Sequence, residues 1–245
     1  MKSKKNITLV LSKKGSQVRF RYWLLIASIL ALTGYSCNEH GSRNINQGEI
    51  HYSINYLGNV SSMPKEIRPK NLIVSFKNDK IVYELISPVG NSGIINISNP
   101  TKEIYDTYLS MFTIRYFYPS EPGEVHPGFE AMAGIEIKKT SKSTVICGFN
   151  CKNAEVTFPF DRRKVFNIWY TDEIKVKNPN ASTPFAEVDG VLMNFFFFMG
   201  HSELQFEAEN VYRKDIPDLT FERKQKFVKV SREDINKFIS KMINL

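Results

Sequence analysis

Residues Val191–Met199 have the sequence Val-Leu-Met-Asn-Phe-Phe-Phe-Phe-Met. In an extended strand, Phe195, Phe197 and Met199 point to one side and the two intervening phenylalanines to the other. Both faces of this strand therefore need an apolar cover. Two arrangements provide it: a central strand packed between a core and a helix, or a curved sheet whose inner face lines a cavity for an acyl chain or another apolar ligand. Phe195, Phe197 and Met199 are the candidate lining residues of such a cavity.

Period-two alternation recurs through much of the chain. Residues 49–56 place apolar side chains at every second position, which predicts a strand with one buried face. The further strand candidates are Leu72–Phe76, Lys80–Ile86, Gly93–Ile97, Ile135–Lys139, Thr144–Phe149, Ala154–Phe158, Lys164–Thr171, Val191–Met199, Glu203–Tyr212 and Phe227–Val230. Turn-forming residues separate them. Short strands with few helices predict an α+β fold that is mainly antiparallel β.

Two segments carry helical spacing. From Thr101, apolar residues recur every three to four positions, although this aromatic-rich stretch also fits a strand that continues through Ile114–Tyr118. At the C-terminus, Ser231 and Asp234 form a capping-box pattern, and one apolar stripe follows over residues 235–243. We therefore expect a C-terminal amphipathic helix against the sheet and one further helix if the first segment is helical.

The positive charge of the chain is concentrated near its start. The 245 residues carry a formal charge of +8, but residues 1–37 hold seven of the 33 basic residues and none of the 25 acidic ones. The remaining chain is nearly neutral, which excludes a phosphate-tracking surface and a nucleic-acid partner. A basic stretch ending at Arg21 precedes the apolar run Tyr22–Leu32, as in an export signal. This run is too short to span a bilayer.

The segment around Cys37 resembles a bacterial lipoprotein signal, in which the cysteine is acylated and becomes the new N-terminus. Cys37 follows the small residue Ser36 and precedes a polar run. Gly34 and Tyr35 depart from the residues that the family prefers there, so a plain signal peptide or an uncleaved anchor stays open. The expected organisation is a signal peptide with a lipobox-like end over 1–37, a polar tether over 38–48 and a single β-rich domain over 49–245.

No pattern in the sequence indicates an enzyme. The four histidines are scattered, none at metal-ligand spacing from another histidine or a cysteine, so no metal site is expected. A nucleophile elbow, a phosphate-binding loop and a dinucleotide-binding glycine run are all missing from the chain. The acidic residues, as at Glu203, Glu207 and Glu209, fit a solvated strand face. We therefore expect neither catalytic residues nor a cofactor.

Cys147 and Cys151 frame Gly148-Phe149-Asn150. Residues four apart in a straight strand are separated by about 13 Å, beyond the roughly 7 Å limit on Cα separation for a disulfide. A bridge therefore requires a turn at the residues between them. An oxidising, exported setting favours the disulfide, whereas free buried thiols are the ordinary alternative.

Several phrases of the domain, in order, resemble an exported β-rich family of Gram-negative bacteria known as a domain of unknown function. They are Gly48-Glu49-Ile50, Val74–Lys80, Lys139-Thr140, Ile146–Ala154, Trp169–Ile174 and Asp189–Leu192. That family is similar to the periplasmic lipoprotein-carrier (Lol-type) superfamily. The resemblance implies a curved half-barrel sheet closed by helices around an apolar cavity, and it brings no catalytic residues.

These features favour an exported lipoprotein of the cell envelope, held at a membrane, expected to be the outer membrane, through a lipid on Cys37. Its half-barrel would bind an apolar ligand, such as a lipid or an acyl chain, or an acylated partner. The alternative is a non-catalytic structural or protein-interaction module with a fully packed core. Such a module would dock an envelope protein through exposed aromatics near Tyr116–Tyr118 or through the mixed-charge surface of residues 213–232.

Overall fold

The computed structural model describes residues 44–57, 65–66, 68–89, 92–159, 164–199 and 202–243. The chain divides into two units, Met1–Gly41 and Ser42–Leu245. The first unit, with the predicted signal segment and Cys37, lies outside the described residues. No described helix is long and apolar enough to cross a bilayer.

Twelve strands of the described chain form one curled, open sheet. They are β1 (Gln47–Leu57), β2 (Asn71–Lys77), β3 (Lys80–Ile86), β4 (Gly93–Asn99), β5 (Ile104–Met111), β6 (Ile114–Pro119), β7 (Glu136–Ile146), β8 (Phe149–Thr157), β9 (Val165–Thr171), β10 (Val191–Met199), β11 (Ser202–Tyr212) and β12 (Val228–Lys229). Their order is β12-β6-β5-β4-β3-β2-β1-β11-β10-β9-β8-β7. Every pairing is antiparallel except that of β12 with β6. The structure thus confirms the α+β, mainly antiparallel prediction.

One helix, α1 (Arg232–Ile243), follows the last strand, and short 3-10 helices occupy Pro100–Lys102, Glu130–Met132 and Asp218–Phe221. The hydroxyl oxygen of Ser231 accepts a hydrogen bond from the Asp234 N–H at 3.1 Å. The predicted cap is therefore present, and it satisfies one of the N–H groups that a helix start leaves unpaired. Ile235 and Ile239 are buried in the main core, so α1 packs its apolar stripe against the sheet.

Strand β10 is buried on both faces, as its phenylalanine run predicts. On one side, the Phe195 ring stacks on Phe206 with centroids 5.1 Å apart. Phe196 contacts Phe158 and Phe166 instead, with centroids 5.8 and 4.0 Å apart. Aromatic side chains from neighbouring strands and loops therefore supply much of the cover, and α1 is not the only element that covers β10.

A second, smaller core lies on the opposite face of β3–β6. There Ile216 and Phe221, from the segment after β11, pack on Val82, Ile97 and Tyr108. We call residues 213–227 the strap, because this segment crosses the outer face of the sheet. The chain then pairs with β6 as β12, which forms this edge of the sheet, before α1 begins, so it passes around that edge.

The structure corrects three predicted boundaries. The segment from Thr101, for which a helix was one of two expectations, forms the strand β5, because successive residues such as Tyr108 and Leu109 are buried in different cores. The candidate strand 144–149 contains a turn at Cys147-Gly148, whose φ angles of 51° and 81° are those of a tight hairpin. Ile45 is buried and bridges to Ile174, so the last residues of the predicted tether belong to the folded domain.

Candidate binding cleft

Two of the three predicted cavity residues, Phe195 and Phe197, are packed in the interior. Phe195 and Phe197 are almost fully buried, and the Phe197 ring contacts Phe129 at a centroid distance of 4.4 Å. Phe197 does line a cavity, of about 30 Å³, together with Asn96 and His126. That volume holds about one or two water molecules and no acyl chain. The side chain of Met199 lies outside the described residues.

A larger space opens elsewhere, and we call it the cleft. Its volume is about 360 Å³, within the range of small-molecule sites. Three parts of the chain enclose it: the connection between β6 and β7 with the start of β7, the loop at 183–187, and the first residue of α1. Its apolar walls are Phe129, Met132, Ile135, Ile137, Pro184 and Ala186.

The connection between β6 and β7 builds most of the cleft. The topology explains its course, because β7 begins the far edge of the sheet while β6 lies beside the other edge. A 3-10 helix in this connection turns the Met132 side chain inward, where its sulfur accepts a hydrogen bond from the Phe198 N–H at 3.4 Å. Gly128 and Gly134, with φ of 99° and 75°, supply conformations that other residues rarely adopt.

A polar network fixes this connection to α1. Arg232 Nη1 donates to Glu124 Oε1 at 2.5 Å and to the Val125 carbonyl at 2.9 Å. Its Nη2 donates to Glu130 Oε1 at 3.1 Å. Asn236 Nδ2 donates to the same Glu130 oxygen at 2.7 Å, and its Oδ1 accepts from the Gly128 N–H at 3.0 Å.

The network also sets the charge of Glu124. Partial burial alone would raise its pKa, but hydrogen bonds from the Glu121 N–H, the Tyr118 hydroxyl and Arg232 outweigh that effect and lower the pKa. Glu124 is therefore ionised at neutral pH, and Arg232 is held between two carboxylates.

Behind the cleft lies His126, whose two ring nitrogens are 3.3 Å from the Ser98 hydroxyl and 3.2 Å from the Thr107 hydroxyl. Burial lowers its pKa to about 4. Its backbone N–H donates to the Ser182 carbonyl at 2.9 Å. His126 therefore fastens the β6–β7 connection both to the sheet and to the loop that lines the other side of the cleft.

The two cysteines of the domain are free thiols in this structure. Cys147 lies in the tight turn, where its Sγ donates to the Ala208 carbonyl at 3.2 Å. Cys151 is buried on β8, opposite Thr144, and burial raises its pKa to about 11. Neither side chain lines the cleft, and the predicted disulfide stays a prediction.

The aromatic residues predicted to be exposed near Tyr116–Tyr118 are half-buried. Tyr116 contacts Phe238 of α1, and Phe117 packs on Tyr108. The large exposed apolar side chain in this hairpin is Phe112, at its tip. Within the described residues, no three His, Cys, Asp or Glu side chains come together as a metal site.

Comparison with known proteins gives similarity of fold. No protein-family model matches the chain, and no curated protein matches it. Among solved structures, PNGF-II in its C2 crystal form matches with a TM-score of 0.50 and 17% identity over 80% of this chain. The P21 form matches with a TM-score of 0.51 and 17% identity over 79%. The chain spans 33% of the length of PNGF-II in each comparison, and the likeness is one of fold.

Proposed function

We propose that this protein is a non-catalytic binding module of the cell envelope, held at a membrane through Cys37, that takes an apolar ligand in the cleft. The observation that carries the proposal is the cleft itself, with a volume of about 360 Å³ and mainly apolar walls. Sites for small ligands are concave and largely apolar, with a few polar groups that orient the ligand.

The proposed ligand site is the cleft and not the position that the sequence favours, at Phe195, Phe197 and Met199. Phe195 and Phe197 remain part of the packed interior, where aromatic pairs stabilise the fold. Phe129 separates the cleft from the small inner cavity, since its side chain lines both. The apolar ligand of this proposal therefore packs against the half-buried side chains of Ile135, Ile137 and Pro184, above a floor formed by the buried Phe129 and Met132.

Filling the cleft tests the proposal. Ala186 is exposed and lines the cleft, whereas Ala181 is exposed in the same loop and does not line it. Native mass spectrometry of the full chain should show an apolar adduct that survives in Ala181→Trp and is lost in Ala186→Trp. An adduct that persists in both variants would place the ligand elsewhere, and wild-type protein that takes up no added aliphatic ligand would contradict the proposal.

The membrane anchor is tested separately. Replacing Cys37 by Ala removes the thiol that would be acylated, and two acyl chains are enough for stable membrane attachment. We expect Cys37→Ala to move the protein from the membrane fraction to the soluble fraction and to abolish labelling by a fatty-acid analogue. Unchanged membrane retention of the variant, with no label on the wild type, would overturn the anchoring part of the proposal.

A second candidate function is the docking of an envelope protein. Its supporting observation is a group of exposed apolar side chains at the tips of two adjacent hairpins: Ile86 and Val89 after β3, and Phe112 between β5 and β6. Phe112 is 76% exposed. Contiguous exposed apolar residues of this kind mark interaction sites.

A further inference from the structure

The cleft has more acidic than basic groups, and these groups differ in whether a ligand can reach them. Glu130, Glu187 and Arg232 line it, and Glu124 lies directly behind Arg232. The cleft and the groups directly behind it thus hold three carboxylates and one guanidinium group, and two of the carboxylates are bonded to that guanidinium. A site lined by apolar walls and a net negative charge attracts a positively charged group and repels an anion.

Arg232 is not available to an anionic ligand. Its two terminal nitrogens already donate to Glu124, to the Val125 carbonyl and to Glu130. A carboxylate or sulfate headgroup would have to break these charge-assisted bonds, which are stronger than neutral ones. The same bonds tie α1 to the β6–β7 connection, so breaking them would also loosen the wall of the cleft.

Glu187 is the carboxylate that a ligand can reach. It lies at the exposed end of the 183–187 loop and forms no ion pair with any residue that the structure describes. Glu130, by contrast, is already bonded by Arg232 and Asn236. The free charge of the cleft is therefore negative and lies next to the apolar side chains of Pro184 and Ala186.

We infer that the ligand of the cleft is an amphipathic cation: an aliphatic or aromatic body packed against Ile135 and Ile137, carrying an ammonium group beside Glu187. This inference rests on the proposed function, because it specifies the chemistry of the ligand at the same site. A partly exposed ion pair is worth up to about 1 kcal/mol, so the cation should bind about five-fold more tightly than a neutral analogue.

The test compares three probes that differ only in headgroup: hexyltrimethylammonium, hexanol and hexyl sulfate. The readout is the ¹³C-methyl signal of Met132 in the full chain, assigned by the Met132→Leu variant, because Met132 lines the cleft. We expect affinity to decrease from the cation to the alcohol to the sulfate, and the preference for the cation to shrink with added salt.

Two variants test whether Glu187 is the carboxylate that produces the preference for the cation. Glu187→Gln should reduce the cation preference to less than about two-fold while leaving hexanol affinity unchanged, since only the ion pair is removed. Glu209→Gln, an exposed carboxylate on β11 outside the cleft, should leave the preference intact.

The outcomes distinguish a failure of the proposed function from a failure of the cationic ligand class. If no probe shifts Met132, the cleft binds no aliphatic ligand, and the proposed function fails together with this inference. If all three bind equally, or the sulfate binds most tightly, the cationic class is wrong while the apolar site remains. A cation preference that survives in Glu187→Gln would overturn the role of that carboxylate.

Discussion

The imidazole of His126 is neutral at pH 7 because it is buried. Burial lowers its pKa to about 4, and the nearby Asp106 carboxylate only partly opposes this effect. A neutral ring has one donor and one acceptor nitrogen, which matches the two hydroxyl groups of Ser98 and Thr107. Protonation would take the acceptor away and place a charge in the core, so His126 makes one wall of the cleft sensitive to acid.

We predict that His126 lowers stability in mild acid. The ordinary pKa of His, 6.5, applies to the unfolded chain, so between about pH 6.5 and 4 the unfolded state binds more protons than the folded state. This contribution is therefore constant above that range and destabilises the fold by about 1.4 kcal/mol for each pH unit within it. Urea unfolding at pH 7 and pH 5 measures the difference, and His126→Gln should show a smaller one. Equal differences in the two proteins would exclude His126 as the responsible group.

At the scale of elements, the strap is attached to the sheet by an ion pair between a buried carboxylate and a half-exposed guanidinium group. Asp106 of β5 is fully buried, and Arg223 Nε and Nη2 donate to its two oxygens at 2.8 and 2.9 Å. The Tyr108 hydroxyl donates to the same carboxylate at 2.6 Å. The apolar side of this attachment is Phe221, packed in the outer core.

Removing Arg223 should destabilise the protein strongly. Arg223→Ala leaves the buried Asp106 carboxylate without its cation. Breaking a fully buried pair costs about 3 to 5 kcal/mol, and because the Arg223 guanidinium is half exposed we expect the loss to be smaller, about 2 to 3 kcal/mol. Lys102→Ala, which removes a partner of Glu222 at the surface, should cost less than about 1 kcal/mol. Chemical denaturation measures both. Adding Asp106→Asn to Arg223→Ala should recover part of the loss, and a double variant no more stable than the single one would argue against an uncompensated charge.

Sequence patterns predicted elements better where one physical signal dominates. The bounds of β3 and β10 agree with the structure to the residue, because unbroken apolar periodicity ends at clear turn residues. The pattern from Thr101 was ambiguous, since both faces of β5 are buried and a two-sided apolar strand resembles a helix in spacing. The turn at Cys147 was missed because a non-glycine residue takes the left-handed conformation there.

The cleft could not be located from the sequence. Its walls come from segments far apart in the chain, such as Met132, Ala186 and Arg232, and only the topology brings them together. One sequence signal existed, namely the long, glycine- and proline-containing connection that holds Gly128 and Gly134. Long connections inside a compact domain are commonly functional.

At the scale of the whole molecule, one end of the sheet exposes a group of apolar side chains. The tips of the β3–β4 and β5–β6 hairpins lie at the same end of the sheet and expose Ile86, Val89 and Phe112. Phe112 also has a φ of 54°, which costs a residue with a side chain about 1 to 2 kcal/mol. A large, exposed apolar residue in a backbone conformation that costs free energy is an outlier from which a functional role is inferred.

We predict that Phe112 affects partner capture and not folding. Phe112→Gly relieves the backbone conformation, so the free energy of unfolding should stay the same or rise by about 1 kcal/mol. Cross-linking to an envelope protein in intact cells should decrease several-fold. Val145→Ser, at an exposed position of β7 near the β7–β8 turn, should leave cross-linking unchanged. A loss of stability in Phe112→Gly, or unchanged cross-linking, would contradict this role.

The position of β1 has a consequence for how the chain reaches its native state. β1 pairs with β2, close in sequence, and also with β11, so that Ile54 lies opposite Phe206. β1 to β6 form one meander and β7 to β11 a second, and the junction between them forms only after nearly the whole polypeptide has been synthesised. Pairings between such distant segments are slow. During synthesis, the first meander must therefore wait with β1 as an unpaired edge, and this is the interval in which the nascent protein most needs a chaperone.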